Sequence, residues 1–240
     1  MNLRQRFYAI HVFLAQHMFY ALALSTLLAC VILAARVARV HHGTYVFLVW
    51  NLLLAWAPYL GSLWAAAIQQ RHPRAWWRLL LPGALWLLFF PNAPYLVTDL
   101  IHLRERLPVP LWYDVGLLAS FALSGCFLAV ASLHTMQTIV RRVAGGAVSW
   151  LFVLGAVGLS GLGVYLGRVE RWNSWDILLS PRAVLADAIR PILAPASHIH
   201  PIGIICMFAA LLFICYVMFV ATRLGGRPTA ASSHDDAPFG

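Results

Sequence analysis

The sequence predicts an all-α fold, a polytopic membrane bundle of about six transmembrane helices with the third broken at Pro91 and Pro94. Three observations carry this expectation. Hydrophobic residues make up 62% of the 240 and charged residues 10%, with a mean hydropathy of +0.78, whereas an ordinary soluble domain is about 25% charged. Apolar runs close to the ~20 residues that cross a ~30 Å hydrocarbon core recur along the chain, separated by short groups of arginine and histidine. Pro91 and Pro94 each remove a backbone donor and clash with the preceding turn, so a helix arriving through Leu85 to Phe90 breaks or kinks there.

Taken in order, residues 1–17 form a short amphipathic lead carrying Arg4 and Arg6, and His17 to Ala35 is the first uncharged span. Leu27 to Cys30 resembles a lipoprotein cleavage box, but the apolar run continues through Val31 to Ala35, as a retained span does. Arg36, Arg39, His41 and His42 are expected in a basic turn with Gly43. The second span is Tyr45 to Ile68, in which Asn51 is expected to bond a neighbouring helix and Pro58 to introduce a kink. Arg71, Arg74 and Arg78, with Trp76 and Trp77, mark an interface.

Only about twelve apolar residues follow before Pro91, which at ~1.5 Å per residue is too short to cross. The third span must therefore continue through the proline motif to about Thr98. Broken backbone at that depth is tolerated only where it is buried in protein or lines a wet cavity. Asn92 is expected to cap the new turn. At helical spacing Tyr95, Asp99, His102 and Arg106 would share one face, and Leu96, Leu100, Leu103 and Leu107 another.

The fourth span is expected from Trp112 to Leu133, entered through Tyr113 and Asp114 and left through His134 to Arg142. The fifth runs from Ala144 to Leu166, and Gly163 and Gly167 stand at the spacing that lets helix backbones approach closely. It delivers a second polar motif, Tyr165 to Asp176. Ser180-Pro181 reads as a helix start, with the helix lying along the interface to Ile189. Pro191, Pro195 and Pro201 are expected to bound an irregular connection before the last span, Ile202 to Thr222. Residues 1–224 read as a single transmembrane domain and 225–240 as a polar, disordered tail. All four cysteines sit inside apolar runs, where a thiol packs as a hydrophobe, and no disulfide is expected.

Two spans separate the polar motifs, so both emerge on one side of the membrane. Asp99, Glu105, Asp114, Glu170, Asp176 and Asp187 all belong to that side, while the opposite loops carry only arginine and histidine. This segregation favours a polar site, because loop solubility does not require every carboxylate to share a face. The positive-inside rule, by a margin of nine arginines to eight, places the N-terminus inside and the motifs outside. The net charge of +9 is scattered between apolar runs and not gathered on one face, which argues against nucleic acid as a partner.

The runs Pro91-Asn92-Ala93-Pro94-Tyr95-Leu96-Val97-Thr98-Asp99-Leu100-Ile101-His102-Leu103 and Gly167-Arg168-Val169-Glu170-Arg171-Trp172-Asn173-Ser174-Trp175-Asp176 resemble a bacterial membrane family, domain of unknown function 1361. Trp50-Asn51 through Pro58 extends the likeness to most of the chain between the second and last spans. The resemblance implies a multi-span protein of the inner (cytoplasmic) membrane, and it carries over no catalytic residue.

The site candidates come from the residues alone. Asp99 and His102 are the candidate acid/base pair, and Asn92, Tyr95, Arg168, Arg171, Asn173 and Asp176 the candidate ligand-binding residues. Arg168 and Arg171 suit bidentate capture of a phosphate or carboxylate, and hence an anionic lipid or polyprenyl-phosphate substrate; their plainer role is pairing with Glu170, Asp176 or headgroups. Asp176 or Asp114 could complete a zinc or manganese set with Asp99 and His102, but a hydrogen-bonded pair orienting the broken helix is the simpler role. Tyr95, Trp172 and Trp175 also suit an interface anchor. No cofactor is assigned. The competing functions are a secondary transporter, whose path the broken helix and Asn51 would line, and a non-catalytic scaffold of a membrane complex.

Overall fold

In the computed structural model, described for residues 2–40, 42–105, 107–193 and 199–225, six helical stretches are long and apolar enough to cross a membrane. Helix α1 (Leu3–Gln16) precedes them with most of its surface exposed. Its start is tied by the Gln5 side chain, which accepts from the Asn2 N–H at 3.0 Å. The chain turns at Met18 into α2 (Phe19–Val40) and returns as α3 (Phe47–Arg71), which remains one helix through Pro58.

The third crossing, Trp76–His102, is composite. A 3₁₀ turn (Trp76–Leu79) leads into α4 (Leu80–Phe89), the helix breaks at Phe90-Pro91, a single turn α5 (Asn92–Tyr95) follows, and a 3₁₀ segment (Leu96–His102) completes the span. Helix α6 (Leu111–Ala144) and α7 (Gly146–Arg168) form the next two crossings. Short α8 (Asp176–Leu179) and α9 (Pro181–Leu193) lie on the connection to α10 (Ile199–Gly225).

Helix α6 is the axis of the bundle. Of its most apolar window 61% is buried, against 11% for α10, so α6 is enclosed by other helices while α10 presents most of its surface to lipid. Leu117, Phe121, Leu128 and Leu133 of α6 meet Leu48, Leu52, Tyr59 and Trp86 in one core.

Glycines admit the broken segment. A Cβ at Gly125 of α6 would strike the Ala93 carbonyl oxygen and come within 2.9 Å of Leu96 Cβ; at Gly163 of α7 it would lie 2.5 Å from the Pro91 ring, and at Gly167 3.2 Å from the Tyr95 ring. The close approach expected of Gly163 and Gly167 is thus made to the proline motif itself, wedged between α6 and α7.

Several local expectations are corrected. Asn92 is not a cap: Pro91 occupies that position, and the Asn92 amide donates back to the Phe89 carbonyl at 2.9 Å, satisfying an oxygen left bare by the break. The anticipated amphipathic face is also lost. In a 3₁₀ helix residues i and i+3 eclipse, so Leu96 and Asp99 are buried together, while Leu100, Ile101 and Leu107 are exposed. Arg106 lies outside the described residues.

Arg36 belongs to no basic turn. It is buried within α2, clamps Asp114 of α6 through Nε at 2.6 Å and Nη2 at 3.0 Å, and stacks 4.6 Å over the Tyr45 ring. The fourth span continues well past Leu133 to Ala144. Pro191 lies inside α9, and Pro201 lies in the first turn of α10, where its missing donor has no partner to lose. Pro195 and the tail beyond Gly225 lie outside the described residues.

Candidate functional site

A cavity of about 640 Å³ opens at the motif face between α3, the broken third span, α7 and the 169–177 connection. Its polar lining comes from Asn51, Asn92, His102, Arg104, Arg168, Arg171, Asn173 and Ser174, and its apolar lining includes Trp50, Leu54, Tyr95, Trp172 and Trp175. Among the described residues three arginines border it and no carboxylate does.

Asp99 stands behind this wall, 1% exposed. Its Oδ1 accepts from Arg168 Nη2 at 2.8 Å and its Oδ2 from Asn51 Nδ2 at 2.8 Å. Arg168 also donates through Nε to Thr98 Oγ1 at 2.9 Å and rests 4.9 Å over the Tyr95 ring. The Thr98 hydroxyl in turn donates to the Tyr95 carbonyl at 2.6 Å, one turn back along the segment. The guanidinium at the end of α7 is therefore pinned on three sides by the proline motif.

His102 caps the motif at the cavity margin. Its Nδ1 lies 3.2 Å from the Asp99 carbonyl oxygen and 4.0 Å from the carboxylate, and its ring packs against Phe47 at 5.0 Å. With Nδ1–H donating to that carbonyl, Nε2 is the basic nitrogen of the neutral ring.

The second motif closes the cavity from the loop side. Asn92 Nδ2 donates to Ser174 Oγ at 2.9 Å, tying the two motifs directly. Asp176 Oδ2 accepts from the Asn173 backbone N–H at 2.6 Å and holds the loop's turn, and Trp172 Nε1 donates to Asp187 at 3.0 Å. Arg171 adopts φ 62°, a left-handed conformation unfavourable for a residue with a Cβ, and lines the cavity without a hydrogen bond or ion pair among the described residues. Arg104 likewise lines the cavity without a partner among the described residues.

Of the residues singled out in the sequence, Asn92, Tyr95, His102, Arg168, Arg171 and Asn173 share the cavity wall, while Asp99 and Asp176 do not. A metal set completed by Asp114 or Asp176 does not form, because Asp114 is bound by Arg36 and Asp176 by Asn173. The plainer pairing suggested for Arg168 is replaced by Asp99, and Glu170 accepts from Tyr165 at 2.6 Å instead. Sequence reasoning missed Arg104, Trp50 and Ser174 as lining residues. Asn51, expected chiefly as a helix contact and alternatively to line a path, bonds the third span and also faces the cavity. The signal for it was a carboxamide amid an apolar run.

No curated protein and no solved structure matches the chain. A family model described as "Protein of unknown function (DUF1361)" matches residues 50–215, a stretch that contains every cavity-lining residue and leaves out α1 and α2. The buried polar contacts between the proline motif, α3 and α7 all fall inside it, and the chain is a polytopic membrane protein of the DUF1361 family.

Proposed function

We propose that the motif-face cavity binds the phosphorylated headgroup of an anionic lipid or polyprenyl phosphate, positioned for modification beside His102. The observation that carries this reading is the imbalance of charge: three arginines line the cavity with no carboxylate among its lining residues. Asp99 offsets Arg168 from behind, so Arg104 and Arg171 remain as two uncompensated guanidiniums suited to a phosphate's oxygens. Trp50 and Ile101, which also line the cavity, are 57% and 71% exposed on a bundle surrounded by lipid, giving an acyl or prenyl chain a lateral way in.

Within this reading His102 is the candidate proton carrier, through Nε2, and Asp99 is a positioning residue that holds Arg168 and the His102 turn. The tightly held arginine supplies fixed positive charge, and the free pair supplies capture. A helical bundle in a bacterial family fits the inner membrane, since outer-membrane spans are barrels.

The test is mass spectrometry of lipids extracted from the purified protein, comparing wild type with the R104Q/R171Q variant. Enrichment of a phosphorylated lipid in the wild type and its loss in the variant supports the proposal. An identical lipid profile in both would remove the capture role, and a small soluble anion in place of lipid would favour transport.

A further inference from the structure

A second cavity opens at the opposite, N-terminal face, where the 17–18 turn meets the ends of α3, α6 and α10. We propose that it is a separate anion site, suited to a phosphate group. The proposal is independent of the motif-face reading and concerns different residues.

Cationic and imidazole groups converge there. Arg142, Arg223, His17 and His134 line the cavity, and among the described residues no carboxylate does. On α6, His134, Thr138 and Arg142 follow at intervals of four and therefore share one face. Arg223 sits 4.8 Å over the Phe219 ring, which stands edge-on to His134 at 5.4 Å, so the guanidinium is placed by packing and not free to wander. Two planar cations at one mouth suit a tetrahedral oxyanion.

Gln69 and His134 line this cavity, but Gln69 Oε1 and His134 Nδ1 are enclosed and, among the described residues, without a hydrogen-bond partner, so the groups that face an occupant are the two guanidiniums at the mouth. Backbone strain at the rim agrees with a functional site, since Met18 adopts φ 65°.

Size restricts the ligand further. The cavity encloses about 210 Å³, against about 640 Å³ at the motif face. That space matches a single phosphate-sized group at the mouth. Hydrogen phosphate and the headgroup of phosphatidic acid share this chemistry, and the experiment separates them.

Full-length protein in phosphatidylcholine nanodiscs is titrated with inorganic phosphate at constant ionic strength, and separately prepared in nanodiscs containing phosphatidic acid, with the unfolding midpoint read by tryptophan fluorescence. Stabilisation by inorganic phosphate identifies a soluble anion, and stabilisation by phosphatidic acid alone identifies a headgroup; either supports the site. The R142Q/R223Q variant, altered at exposed side chains, should weaken the response about tenfold or more, as expected when charge-assisted hydrogen bonds are lost. Both proteins carry R104Q/R171Q as a common background, so that the motif-face arginines, themselves read as an anion site, contribute to neither arm. No response to either probe in that background, or equal responses with and without R142Q/R223Q, would each overturn the proposal.

Discussion

Two arginine–aspartate pairs with a buried carboxylate lie near the same membrane face among the described residues, and they are built differently. Arg36 and Asp114 join α2 to α6 through two hydrogen bonds, with side chains only 2% and 1% exposed and the Tyr45 ring covering the guanidinium. Arg168 and Asp99 join α7 to the broken third span through one direct bond, with Arg168 23% exposed and forming part of the cavity wall. The first pair is closed on itself. The second leaves its aspartate sealed behind Asn51 and its arginine facing the cavity, so the charge it carries remains available to a ligand. Equal residue types thus do different work according to which partner touches open space.

The largest effect should come from breaking the closed pair. Arg36→Leu leaves Asp114 buried without a counter-charge, and a loss of about 3–5 kcal/mol is expected, measured by denaturant titration in detergent micelles. The R36L/D114L double variant should recover most of that loss, because the burial of two charges is removed together. A double variant as unstable as the single one would mean that Arg36 acts through its packing on Tyr45 instead.

Arg168→Gln should have a smaller effect on stability, about 1–3 kcal/mol, since the cavity lets water reach the site while Asn51 still bonds Asp99. Its effect on retained anionic lipid should exceed its effect on folding. Asp99→Asn sharpens the contrast in the other direction: it frees the Arg168 charge and should raise lipid retention even as stability falls. A fall in retention would show that the position of Arg168, and not its net charge, governs binding.

Gly125→Ala tests whether the open pair depends on the wedge that carries Asp99. The added Cβ strikes backbone at Ala93, which cannot move aside as a side-chain end can, and overpacking of this kind costs about 1–3 kcal/mol. The variant should lower lipid retention by displacing the proline motif, while leaving the remote Arg36–Asp114 tie in place. Smallest of all, Arg71→Gln and Arg141→Gln should change neither the unfolding midpoint nor lipid retention, because both occupy exposed ends of helices away from the cavity.

Much of the lining of the motif-face cavity was legible in the sequence. Two prolines inside a span too short to cross without them required an irregular, protein-buried segment, and the parity of two intervening spans required the second motif to join it. Six of the eight candidate residues line one cavity for that reason. The two exceptions are carboxylates, and their placement follows from burial: each found donors in its own neighbourhood, Arg168 and Asn51 for Asp99, the Asn173 backbone for Asp176.

By itself the sequence determined the class, the number of crossings, the position of the break and the shared side of the motifs, because these depend on apolar run length, proline chemistry and the alternation of spans, all of which are local or countable. Tertiary structure alone decided the partners. A helical periodicity of 3.6 predicted one polar face for Tyr95, Asp99 and His102, but the segment tightens to 3₁₀ geometry, and Asp99 turns inward with Leu96. Arg36 looked like one of many loop arginines, and only the approach of α2 to α6 gave it Asp114, 78 positions away. Pairings at such separations are set by which helices pack together, and neither charge nor spacing along one helix contains that information.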